Sequence, residues 1–181
     1  RISNQLGKIC RTNSEVFVGA RARSWKEKFC EGIAITSSLY VDDVTHIEPV
    51  RYPERSDAMF WLSTIATEGG TRITRPLKFI WNCFRKPINF FRSLSPFGWA
   101  RRVIILMAMQ PLDNQLQLVL KRRLWLPFFR TLTSKSTEKK PPTYIPAANQ
   151  AAHAIAKRIN GIAISSVTEV LFNIPISAHI L

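Results

Sequence analysis

At 181 residues, 46% of them hydrophobic, the chain has the size of one globular domain and enough apolar surface to bury a core, which argues against disorder. Its formal charge of +14 resembles a nucleic-acid signature until it is located. Residues 72–102 hold eight Lys and Arg with no acid, residues 121–140 hold seven with one acid, and the remainder balances at 11 basic and 11 acidic.

Three cysteines, Cys10, Cys30 and Cys83, are too few and too far apart for a disulfide framework, and no C-x-x-C pair points to zinc or redox chemistry. Buried free thiols are expected. The longest strictly apolar stretch, Val103–Met109, is far short of the roughly 18 residues that span a bilayer. The chain opens on Arg1 and stops at Leu181 directly after an apolar run, so both ends are expected to be cuts; a signal peptide cannot be assessed on this stretch.

In chain order, Glu15–Ala22 carries strand propensity in Val16, Phe17 and Val18, and Phe29–Tyr40 continues it with Ile33, Ile35, Thr36 and Tyr40. The charged Arg23–Lys28 between them suits an exposed hairpin connection. Asp42-Asp43 punctuates the chain before a third strand, Val44–Tyr52, whose period of two puts His46, Glu48 and Val50 on one face and Ile47 and Pro49 on the other. Pro49 implies an edge or a bulge. Ser56 is expected to cap a helix through Met59, Leu62, Ile65 and Ala66 that stops at Gly69-Gly70. Arg75–Leu94 reads as helix interrupted by Pro87.

Val103–Gln110 then reads as a buried strand, with Pro111–Asn114 as a turn into a half-exposed neighbour in which Leu116, Leu118 and Leu120 alternate with more polar positions. Thr131–Thr143 has the composition of a solvated loop. Pro146 suits the first turn of a helix with an apolar stripe of Ala148, Ala151, Ala152, Ile155 and Ile159, stopped at Gly161. These elements imply an α+β fold.

Seven glycines form neither G-x-G-x-x-G nor G-x-x-x-x-G-K-[ST], so dinucleotide and phosphate cradles are both missing from the sequence. No H-E-x-x-H or paired-ligand spacing is present, and no metal site is expected. His153, inside the Ala-rich helix, reads as structural. His46 and Glu48 on one strand face could orient an imidazole against a carboxylate, or form a structural pair in the sheet. His179 follows Asn173–Ala178, a helix-breaking stretch, and so lies on an extended approach.

Several blocks, in this order, carry a family resemblance: Leu6-Gly7-Lys8, Arg11-Thr12-Asn13-Ser14-Glu15, Glu31-Gly32-Ile33-Ala34-Ile35, Thr45-His46-Ile47-Glu48-Pro49-Val50-Arg51-Tyr52, Pro96–Arg102, Leu112-Asp113-Asn114, Tyr144-Ile145-Pro146 and Asn173-Ile174-Pro175. Together they resemble the cholesterol-oxidase-like branch of the glucose-methanol-choline (GMC) flavin oxidoreductases. The resemblance implies a largely antiparallel multistranded sheet covered by helices, with residues 1–178 as a substrate-binding domain, 72–102 as a basic aromatic insertion, 121–143 as a basic loop, and 179–181 as the start of a return into an FAD-binding domain mostly outside this chain.

It also implies FAD as cofactor and a bulky apolar alcohol, such as a sterol, as substrate, oxidised at its CH–OH group. Ala178-His179-Ile180-Leu181 matches the opening of the family's active-site histidine turn. By that likeness His179 would lie near the flavin, bind the substrate hydroxyl and take its proton, a task suited to a side chain with an unperturbed pKa of about 6.5. The family's acidic site residue is Glu48 by strand position, with Glu54 as the alternative.

The 72–102 stretch interleaves aromatics with cations and admits three readings. It could be a helical cap whose aromatics pack on the sheet while its cations face water or an acidic flavin domain outside this chain, a peripheral contact with an anionic membrane surface, or a nucleic-acid face. No RNP or zinc-finger motif accompanies the charge, which disfavours the last. A basic module that binds membrane or nucleic acid and does no chemistry is the alternative function.

Overall fold

The computed structural model describes residues 3–123, 126–136 and 140–176. Its centre is a six-stranded sheet in the order β2-β3-β5-β1-β8-β4, formed by β1 (Ser14–Ala22), β2 (Leu39–Tyr40), β3 (His46–Val50), β4 (Ser63–Ile65), β5 (Val103–Gln110) and β8 (Gly161–Ser166). All five pairings are antiparallel. With α1 (Thr74–Arg85), α2 (Pro87–Ser93), α3 (Trp99–Arg102), α4 (Pro146–Arg158) and α5 (Val167–Phe172), this is the expected α+β fold.

The sheet is covered on both faces. On one, Val16, Val18, Ile47, Leu106 and Ala108 pack against Ile145, Ala148 and Ala152, the apolar stripe of α4. On the other, Val103, Ile162 and Ile164 meet Trp99 and Ala100 of α3, with Tyr52, Met59 and Phe60 around them. Each central strand is thus apolar at successive residues, as burial on two sides requires.

Strands β1 and β5, the break between α1 and α2 at Pro87, and helix α4 lie where the periodicity places them. Pro49 sits beyond the two residues of β3 that pair with β2, so its missing N–H leaves no ladder bond unmade there. Asp42 makes the expected turn, its Oδ1 accepting the N–H groups of Val44 (3.0 Å) and Thr45 (2.6 Å), and these bonds hold its carboxyl below the usual range.

Several expectations are corrected. The 29–40 strand is reduced to Leu39–Tyr40 and an isolated bridge from Ile35 to Val50, because Ile33, Ile35 and Leu39 find no surface to bury against and stay exposed. Arg23–Lys28 is therefore no hairpin turn, and β1 lies between β5 and β8 instead. The helix from Ser56 is a 3-10 helix, Ser56–Leu62, with no side-chain cap, after which Ser63–Ile65 pairs with β8.

β6 (Leu116–Arg123) does not neighbour β5, whose two edges are already taken by β3 and β1. It pairs with β7 (Leu126–Ser136) in a separate two-stranded sheet. That ribbon takes in residues 131–136, expected as loop, and is tied to the N-terminal segment by a Cys10–Leu116 bridge and by Leu118 N–H donating to the Gly7 carbonyl at 2.8 Å. The three thiols are free, as expected, but half-buried rather than buried.

β8 and α5 are elements that the local periodicity does not announce. Gly161 starts β8 instead of merely stopping α4, and a Cβ there would lie 2.3 Å from the Arg21 carbonyl oxygen, so the close approach of β8 to β1 requires glycine.

Candidate active site

On the sheet face turned away from α4, a cleft of about 160 Å³ opens over β1, β5 and β8. Its apolar walls include Phe17, Tyr52, Met59, Trp99, Ile105 and Ile164, and Ile176 closes one side. Trp99 is 2% exposed and fixed at both of its chemistries: its ring lies 5.7 Å from that of Tyr52, and its indole N–H donates to Ser63 Oγ at 3.1 Å. A buried indole keeps such a partner because an unpaired donor would cost free energy. Few polar groups line the cleft, so it suits an apolar molecule.

The strand register places Glu48 relative to this cleft. Glu48 pairs with Met107 across β3 and β5, and Met107 pairs with Phe17 across β5 and β1. Directly opposed residues share a face of the sheet, so Glu48 stands on the cleft's face, two strands from Phe17. His46 pairs with Met109, and Met109 with Glu15, which puts His46, Glu48 and the fully buried Glu15 on the same face. The ring of His46 is tilted against that of Tyr40 at 5.6 Å.

Glu54 lies exposed before the 3-10 helix. His153 is exposed on α4. His179 lies outside the described residues; Ile176, three positions before it, is the last described residue and lines the cleft. Among the described residues no group of three or more His, Cys, Asp and Glu could hold a metal ion.

Two buried charged residues beside this face were not singled out in the sequence. Glu169 of α5 is fully buried, its Oε1 accepting the Phe17 N–H at 3.3 Å, while its Oε2 has no hydrogen-bond partner. Burial pushes its carboxyl up to about 8, against the pull of the Phe17 bond and of Arg75. Arg75 of α1 donates from Nη1 to the carbonyls of Thr143 (2.6 Å) and Glu169 (3.0 Å) and lies over the Tyr144 ring. Its own pKa is lowered by burial, which outweighs the nearby Glu169, Tyr144 and Glu68.

A signal for Glu169 was present: Ser166-Val167-Thr168-Glu169 has the S-x-x-E spacing of a capping box. The structure uses it differently. No side-chain cap bond forms at Ser166, and the glutamate turns to the strand N–H that β8, ending at Ser166, leaves unpaired.

The blocks that carried the resemblance also meet in space. Arg11 pairs with Asp113, Asn114 Nδ2 donates to Ser14 Oγ at 2.7 Å, and Asn114 Oδ1 accepts the Thr12 N–H at 3.3 Å. This latch joins the start of β1 to the end of β5.

FAD, the cofactor the resemblance implies, needs a strand, a glycine-rich turn and a helix N-terminus for its pyrophosphate. The described residues do not supply them. α4 is entered through Ile145-Pro146, α5 directly from Ser166, and the Gly69-Gly70 pair before α1 is crowded by Tyr144 and Thr74. The cleft is also too apolar to hold a dinucleotide.

No protein-family model and no solved structure matches the chain. It is 39% identical over 178 residues to a cholesterol oxidase of Acinetobacter baumannii, which covers 98% of this chain and 32% of that protein. It is 39% identical over 188 residues to cholesterol oxidase from two strains of Mycobacterium tuberculosis, CDC 1551 / Oshkosh and H37Rv, covering 99% of this chain and 32% of theirs. The chain spans about a third of the length of these curated relatives. Over 98–99% of its residues, then, the chain is similar to cholesterol oxidases, as its motifs imply.

Proposed function

We propose that this chain forms the substrate-binding part of a flavin-dependent oxidoreductase acting on the CH–OH group of a bulky apolar alcohol such as a sterol. The observation that carries the reading is the cleft, walled by Tyr52, Met59, Trp99, Ile105, Ile164 and Ile176, on the sheet face that bears Glu48. The likeness to cholesterol oxidases supports it.

FAD, held by parts of the protein outside the described residues, would supply the hydride acceptor. The chain's own part is to take up the apolar body of the alcohol, exclude water from it, and manage the hydroxyl proton. An apolar wall favours the ring system by about 25 cal/mol for each Å² removed from water. His179 is the base we assign to the hydroxyl proton, which it accepts on an imidazole nitrogen, and Glu48 is the acidic residue that orients the polar end of the substrate. Proton transfer to a positioned base of this kind contributes about 10²–10⁴-fold in rate.

The test is to purify the full-length protein, record its absorption spectrum, and add a sterol without oxygen. Flavin absorption that bleaches on sterol addition supports the proposal. A colourless protein, or a flavin that sterols leave oxidised, overturns it.

A further inference from the structure

Helix α1 is built inside out. Amphipathic surface helices turn their apolar stripe to the core. Here Arg75, Phe79 and Asn82 form the inward side, while Ile73, just before the helix, and Leu77, Ile80, Trp81 and Phe84 all point to solvent. Their spacing of four, three, one and three residues lays them on a single stripe, opposite Arg75 at 3.6 residues per turn. Trp81 is 62% exposed and Phe84 77% exposed. α2 extends the apolar surface with Ile88 and Phe91, both exposed.

Charge surrounds the stripe with one sign. Residues 72–102 contain eight basic and no acidic side chains, and Lys78, Arg85, Lys86 and Arg92 are exposed. In the last turn of α2, Arg92 joins Arg21, Arg23 and Arg102 around a cavity of about 260 Å³. Arg21 itself is buried, its guanidinium donating to the main-chain carbonyls of Arg92, Ser93, Ser95 and Phe97, so the exposed charge at this cavity is that of Arg92 and Arg23.

This arrangement splits the readings of the segment. Trp99 packs on the sheet as a cap would, but Trp81, Phe84, Phe91 and Phe97 are exposed while Arg75 and Arg102 are buried, so the segment is only in part a cap with aromatics inward and cations outward. An apolar stripe rimmed by cations matches a bilayer surface, where side chains such as Trp and Phe enter the headgroup boundary and Lys and Arg meet anionic headgroups. Base stacking needs aromatics along a basic groove. The stripe is instead convex, running along a helix, with aliphatic residues between its aromatics. No helix among the described residues is long and apolar enough to cross a membrane, so the contact would be peripheral.

We propose that the outer faces of α1 and α2 form a docking surface for an anionic phospholipid membrane, with Ile73, Leu77, Ile80, Trp81 and Phe84 inserted at the headgroup boundary. The proposal does not depend on the flavin reading, because its test measures partition rather than turnover.

The experiment is co-sedimentation of the full-length protein with phosphatidylcholine vesicles, with and without phosphatidylserine, for the native chain, for Trp81→Ser/Phe84→Ser and for Arg85→Gln/Lys86→Gln. Binding is expected to need phosphatidylserine and to weaken with salt. The serine pair should weaken it by about tenfold or more, and the glutamine pair should reduce the preference for phosphatidylserine. Failure of the full-length protein to bind either vesicle overturns the proposal, as does undiminished binding by the serine pair. A fall in melting temperature for the serine pair without vesicles would mean that other parts of the protein cover the stripe, and would also overturn it. So would binding to a single-stranded oligonucleotide without binding to vesicles.

Discussion

The carboxylate of Glu169 accepts the main-chain N–H of Phe17 at 3.3 Å, joining α5 to the central strand beside the apolar cleft. Because this carboxyl is pushed up to about 8 from an ordinary 4.5, it is protonated at neutral pH in the folded chain and ionised in the unfolded one. Between those two values the folded state binds the extra proton, so stability falls as pH rises through the window. Glu169→Gln keeps a neutral acceptor of similar shape and should flatten that slope. Thermal melts of both proteins from below pH 4.5 to above pH 8 check it; parallel curves would show that Glu169 does not titrate there.

Asn114 is 2% exposed and holds both Thr12 and Ser14 at the start of β1. Asn114→Ala removes two bonds and leaves a buried hydroxyl and a buried N–H without this partner. It is expected to destabilise the protein by about 2–3 kcal/mol, read from the midpoint of urea unfolding. Arg11→Ala, at a half-exposed ion pair with Asp113, should cost less than about 1 kcal/mol by the same measurement.

The cleft reading predicts a steric effect. Ile105 lines the cavity and is only half-buried, so Ile105→Phe can project into the open volume without disrupting the packed core. In the full-length protein it is expected to raise KM for a sterol about tenfold or more while leaving a small linear alcohol little affected. Steady-state kinetics with both substrates separate this from a general loss of activity.

For the proton-handling proposal, His179→Gln should slow flavin reduction by about 10²–10⁴-fold in single-turnover measurements with sterol binding largely retained. Glu48→Gln should slow it less, since Glu48 is assigned to orienting the substrate. Glu54→Gln, at an exposed position, should leave it near the native rate. Equal losses in all three would remove the assignment.

Much of the fold was legible because local pattern and burial agree. β5 is a nearly continuous apolar run and β1 carries Val16, Phe17 and Val18 in succession, α4 repeats alanine at spacings of three and four against the sheet, and Pro87 cannot continue α1. Where propensity had no surface to bury against, as at Ile33 and Ile35, the expected strand did not form. The period of two places Glu48 and His46 on one face, but their relation to Phe17 and Glu15 runs through Met107 and Met109, more than 50 residues away in sequence.

By itself, the sequence determined the α+β class, the central strands, the main helices, the two basic segments and the likeness to cholesterol oxidases, because these follow from local periodicity, composition and ordered motifs. Only the tertiary structure decided which strands pair, since β5 had two edges and β3 and β1 took both, sending β6 to β7. It also decided that Glu169 is buried beside Phe17 and that the apolar side of α1 faces outward. Helical spacing defines a stripe but not which way it turns; that depends on what the opposite side meets, and here Arg75 meets the carbonyls of Thr143 and Glu169.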